Sequence, residues 1–170
     1  MRRPFDFPNP VNEVAARTVA AGVVAMSVTY LLTRHPLVLA PLSYGFAARV
    51  ASGPRFSPLG LLATRLVAPA IAAPRLVPGP PKRFAQGIGA TLSILAVVAH
   101  AAGAGAVAVA AVGAIAVAAS LEAALGFCLG CRGFAILMRL GVIPEHVCVE
   151  CNDIWSGRRL PADRTSSTSA

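Results

Sequence analysis

Four cysteines stand in two Cys-x-x-Cys pairs, Cys128/Cys131 and Cys148/Cys151, with sixteen residues between the pairs. Thiols at this spacing support two different chemistries. As a dithiol, Cys128 and Cys131 attack a disulfide or accept a sulfane sulfur, and the second thiol resolves the intermediate. As four thiolates, Cys128, Cys131, Cys148 and Cys151 hold one Zn²⁺ tetrahedrally, a spacing that falls within the range of structural zinc sites. Gly130 and Gly133 permit a tight knuckle, and His146, two residues before Cys148, is a substitute ligand. Against zinc, the intervening FAILMRLGVI reads as an apolar helix where a zinc ribbon wants short polar strands. The residues alone leave both readings open.

Composition says where these thiols sit. Of 170 residues, 56% are hydrophobic and 13% charged, with mean hydropathy +0.68, which points to a membrane protein. No acidic residue occurs between Glu13 and Glu122, so the net charge of +8 rests on arginines at the edges of apolar runs. That pattern fits anionic lipid head groups; with no aromatic residues interleaved among the basic ones, nucleic acid is not an expected partner.

The first apolar run, Thr18 to Thr33, is bracketed by Arg17 and Arg34, whose long stems reach the head groups. With prolines and an acid ahead of it, it reads as a retained span and not a cleaved signal. The next run, Leu37 to Ala48, is short and contains Pro41 and Gly45. Charge bias favours its crossing: Arg2, Arg3 and Arg17 precede the two runs, Arg49, Arg55, Arg65, Arg75, Lys82 and Arg83 follow them, and both groups prefer the cytoplasm. In the Pro-rich connection Leu59 to Val67 reads as an interfacial helix or an irregular linker. Phe84 to Ala101 and Val107 to Phe127 form a second hairpin about an uncharged turn. Gln86, Thr91 and Ser93 make a polar face on the first of these, and Ala110, Ala114 and Ala118 a small-residue packing stripe on the second.

The expected fold is therefore an all-α membrane protein of about four transmembrane helices, with a short interfacial helix and a small cysteine-rich cytoplasmic C-terminal appendix. Its segments are a cytoplasmic start (1–17), a first hairpin (18–48), a basic connection (49–83), a second hairpin (84–127), the cysteine pairs (128–157) and a disordered tail (158–170). Both termini are expected in the cytoplasm of a bacterial inner-membrane protein, where reducing conditions disfavour a lasting disulfide.

RFSPLGLLATRLVAP, PPKRFAQGIGA and EAALGFCLGC, in this order and separated by apolar spans, resemble a bacterial integral-membrane family catalogued as domain of unknown function 4395. The resemblance covers Phe5 to Met138, and FCLGC is its most specific part. It implies about four spans, a Cys-x-x-Cys closing the last, and thioredoxin-like or sulfurtransferase partners. No catalytic residue is carried over with it.

Within the leading pair, a span running through Cys128 would place that thiol at a negative helix end, whereas a break at Gly130 or Gly133 would put Cys131 beside Arg132 at a helix start. Cys131 is thus the expected acidic thiol. Glu122 is the lone acid of the last span, expected to reach solvent or to pair with an arginine of the basic connection. It precedes Cys128 by six residues, about 9 Å and 600° around a helix, which disfavours a relay between them. His100 reads as a solvated interfacial imidazole. The leading function is thiol or reduced-sulfur handling at the cytoplasmic membrane face through Cys128 and Cys131. The alternative is a non-enzymatic accessory or scaffold subunit of a larger membrane complex, with zinc on all four cysteines.

Overall fold

The computed structural model describes residues 7–148. Cys151, the rest of the cysteine segment, the tail 158–170, the first six residues and the side chain of His146 lie outside what is described. A two-residue strand, β1 (Val11–Asn12), leads into α1 (Glu13–Thr33). Asn12 caps α1 by accepting the Val14 N–H at 3.0 Å, and Glu13 sits in the positive first turn. The helix stops where Arg34 turns left-handed ahead of Pro36.

A single 3₁₀ turn leads into α2 (Leu39–Ser52), which ends at Gly53, held at φ 67° before Pro54. Next comes α3 (Pro58–Leu62), a π-helical turn over Ala63–Val67, and α4 (Ala68–Ile71). A second short strand, β2 (Leu76–Val77), pairs antiparallel with β1. α5 (Gly79–Ala101) begins on Pro80 and Pro81, which lack the N–H groups that a first turn leaves unbonded. A tight turn at Gly103 reverses the chain into α6 (Gly105–Leu125), and α7 (Leu129–Arg139) follows.

α1, α5 and α6 are long and apolar enough to cross a membrane. α2 is not: bounded by Pro36 and by Gly53-Pro54, its 14 residues extend about 21 Å against a hydrocarbon core of about 30 Å. It nevertheless returns the chain to the end where α1 began. Near its C-terminus, Arg49 Nε donates to Gln86 Oε1 at 2.9 Å, and the Val50 carbonyl accepts from Arg83 Nε at 3.0 Å. At the opposite end Tyr30 of α1 meets His100 of α5, hydroxyl to Nδ1 at 3.0 Å. His100 is therefore half-buried and partnered within the bundle through Nδ1.

α6 packs on α1 and α5 through Ala108, Ala111, Val112, Ile115 and Ala119. Of the stripe expected from sequence, Ala110 is exposed, while Ala114 and Ala118 border a groove shared with α1 and α5 and lie outside this core. With Ala, Val and Gly on every side, α6 has no bulk to choose its own face; the bulkier Val19 and Val23 of α1 share its core cluster. On α5, Gln86 and Ser93 turn inward but Thr91 is exposed, and Gly89 lies against the Phe46 ring, where a methyl group would overlap it.

The basic connection is more ordered than a linker. Helical structure runs from Pro58 to Ile71 along α1, with Leu59 against Gly22 and with Ala63 and Ala68 fully buried. Pro69 is accommodated because the π turn ahead of it, in which the Ala68 N–H reaches back to Ala63, widens the helix where the proline ring would otherwise clash. Leu62, Leu66 and Ile71 remain exposed.

Candidate functional site

Gly126 ends α6 in the left-handed conformation at φ 68°, its N–H bonded to the carbonyls of Glu122 and Leu121. Arg17 of α1 satisfies two more carbonyls of that last turn, Ala123 and Ala124, at 3.1 and 2.7 Å. Two residues later Cys128 turns extended and becomes the N-cap of α7, its sulfur accepting the Cys131 N–H at 3.4 Å. The break thus falls at Gly126, ahead of both thiols, and not at Gly130 or Gly133.

This reverses the expected acidity. Cys128 now occupies the helix N-terminus, where a thiolate is favoured. Cys131 Sγ donates to Cys128 Sγ at 2.7 Å. That bond pulls the Cys128 thiol below its ordinary pKa, helped by the Lys82 charge and the Cys131 N–H, and opposed by burial and Glu122. The same bond, with burial and the facing Cys128, drives Cys131 strongly upward.

Glycine fixes where the pair sits. A Cβ on Gly130 would lie 2.5 Å from Ala85 Cβ and 2.6 Å from Ala85 Cα, so only glycine lets α7 rest directly on the backbone of α5. Phe134 seats the next turn edge-on against Phe84, with ring centroids 5.6 Å apart. This docking brings the thiols over the first turn of α5, where Lys82 is found. Lys82 is 8% exposed, and its Nζ meets Glu122 Oε1 at 2.5 Å. Glu122 is therefore neither solvated nor arginine-paired. Its partner is the only lysine in the chain, a signal the sequence did carry, since every other cation among the 15 basic residues is arginine. Lys82 influences both thiols electrostatically, and Glu122 and Cys128 share one cavity wall despite their angular separation on an ideal helix.

Cys128, Cys131, Lys82, Phe127 and Arg132 line a cavity of about 480 Å³. The Arg132 guanidinium lies over the Phe127 ring, 5.2 Å from its centroid, adding a second cation to the rim.

Of the expected zinc ligands, Cys128 and Cys131 are free thiols brought together by α7. Cys148 is buried with Phe134 and Met138, on a later part of that helix, and is disulfide-bonded. Among the described residues no three His, Cys, Asp or Glu side chains gather as a metal site.

The family model described as Domain of unknown function (DUF4395) matches residues 11–139. The chain belongs to this family. The match opens at β1 and closes with the last residue of α7, so the family unit contains the bundle, Lys82, Glu122 and the Cys128/Cys131 pair, and leaves Cys148 and Cys151 outside. No curated protein and no solved structure matches the chain.

Proposed function

We propose that this family member is a membrane protein that exchanges thiols and disulfides, or relays reduced sulfur, with Cys128 as nucleophile and Cys131 as resolving thiol. The observation that carries the reading is the environment of Cys128 Sγ: at the N-terminus of α7, within the field of Lys82, accepting both the S–H and the N–H of Cys131. In the disulfide case the Cys128 thiolate attacks one sulfur of a partner disulfide, forming a mixed disulfide and expelling the other sulfur as a thiolate. Cys131 then loses its proton and attacks Cys128 Sγ, displacing the second partner thiolate. The partner gains two electrons and two protons, and Cys128–Cys131 becomes the disulfide.

α1, α2, α5 and α6 serve as four crossings, the short α2 being met by local thinning or snorkelling of its flanking arginine. Arg17, Arg49, Arg55, Arg83 and Arg132 belong to the end that holds the dithiol, and Arg34 to the opposite turn, which supports a cytoplasmic dithiol face. The exposed Leu62, Leu66 and Ile71 of the α3–α4 run then lie in that interface beside anionic head groups. The partner is a soluble protein carrying an accessible disulfide or persulfide.

The test uses full-length protein in neutral detergent, presented with oxidised glutathione and read by intact mass. Cys131→Ser should accumulate a mixed disulfide on Cys128, and wild type should pass to a protein disulfide lacking two hydrogens. No adduct in Cys131→Ser, or equal trapping on Cys131 in Cys128→Ser, would sink the assignment.

A further inference from the structure

A second cavity of about 260 Å³ shares Lys82 with the dithiol site and is walled by Arg49, Gln86, Thr64 and Asn12 over an apolar lining. Arg49 is 5% exposed and its guanidinium is held from two sides. Nε donates to Gln86 Oε1 and Nη1 to Ser57 Oγ at 3.2 Å, while the group rests 4.8 Å over the Phe46 ring. Among the described residues Nη2 is buried with no acceptor.

Arginine keeps its charge when buried, so this group needs a counter-charge. Among the described residues no carboxylate lies within ion-pair distance of it; the nearby acid, Glu122, is taken by Lys82. Among the described residues two buried cations therefore share one carboxylate. The side-chain amide oxygens of the lining are also engaged: Asn12 Oδ1 takes the N–H groups of Val14 and Arg75, and Gln86 Oε1 takes Arg49 Nε, while the Thr64 hydroxyl gives its proton to the Gly60 carbonyl. What this cavity has left over is a positively charged donor.

We propose that the cavity binds a small oxyanion, a free sulfate- or phosphate-like ion or the phosphate of a lipid head group, with Arg49 as its principal ligand and Lys82 as the second charge. A planar guanidinium suits two oxygens of one tetrahedral anion. The lining is mostly apolar, and a charge pair beside it is less screened than in water.

Full-length protein in phosphatidylcholine nanodiscs is titrated calorimetrically with sodium sulfate and with inorganic phosphate, ionic strength being held constant with chloride. In a parallel arm phosphatidylglycerol is added, and retained lipid is read by native mass spectrometry. Saturable uptake of either free ion, weakened roughly tenfold or more in Arg49→Gln, identifies a soluble anion site. Phosphatidylglycerol retained by wild type, lost in Arg49→Gln and displaced by sulfate identifies a head-group site. Cys128→Ser should leave either signal unchanged, which separates this site from the fate of the dithiol. Should Arg49→Gln fail to fold, Arg49→Lys, which keeps the charge and loses the fork, should still weaken binding. Wild type that takes up neither ion above chloride and retains no phosphatidylglycerol means the cavity holds water alone, and unchanged affinity in a folded Arg49→Gln overturns the assignment equally.

Discussion

Replacing Gly130 by alanine tests the docking that assembles the thiol site. A methyl carbon there would stand 2.5 and 2.6 Å from Ala85 Cβ and Cα, against an ordinary carbon contact of about 3.8 Å. Ala85 is helical backbone and cannot swing aside, so the start of α7 must lift by on the order of 1 Å, an overpacking cost of about 1–3 kcal/mol. Alanine also returns about 1 kcal/mol of helix propensity. Gly133 supplies the internal control, because a methyl group there meets only Phe84 Cε1, at 4.0 Å, in ordinary contact. Gly133→Ala should therefore gain about 0.5–1 kcal/mol, and Gly130→Ala should fall about 1–3 kcal/mol below it. At about 2–4 °C per kcal/mol the two melting temperatures in detergent should separate by several degrees. Lifting α7 also moves Cys128 from Lys82, so iodoacetamide should label Cys128 more slowly at pH 7 in Gly130→Ala alone. Equal stabilisation by both alanines, with Cys128 labelling unchanged, would refute the packing argument.

Three further outcomes follow from the same geometry. Because the Cys128 pKa is depressed, its alkylation should already be substantial below the ordinary thiol range near 8.5 and fall only as pH drops through the lowered value; in Lys82→Met the profile should move to higher pH, measured by site-resolved mass spectrometry in chains that keep Cys131, whose S–H is the main cause of the shift. Glu122→Gln should shift the profile the other way, since its charge opposes the thiolate, while exposing an unpaired Lys82 at a cost of up to about 3–5 kcal/mol. The Lys82→Met/Glu122→Leu double variant should unfold at higher denaturant than either single variant, and additive losses would contradict the pairing. Gly126→Val, forced into φ 68°, should cost about 1–2 kcal/mol and loosen the end of α6, seen as faster amide exchange at Phe127 and Cys128.

The sequence by itself determined the long helices. Apolar stretches bounded by Arg17 and Arg34, by Pro80-Pro81 and Gly103, and by Gly105 and Gly126 leave the backbone little choice, because proline lies only at their edges, charge does too apart from Glu122 near the end of the last, and single internal glycines do not break a long apolar helix. It also determined which cysteines are paired through a single helical turn, since three residues of spacing is a local property. What local pattern could not supply was which of several equivalent choices the packing would take. The sequence pointed to Gly130 or Gly133 as the break, but contact of Gly130 with Ala85 assigned it to helix docking, Gly133 lies inside α7, and the break fell at Gly126. That choice moved Cys128 from the end of one helix to the start of the next and exchanged the acidities of the two thiols. The face of α6 was undetermined for the same reason, a surface of near-identical small residues. The Lys82–Glu122 pair joins positions forty residues apart on antiparallel helices. Charge neutralisation in a buried space selects such a partner, and only the folded bundle establishes which space is buried.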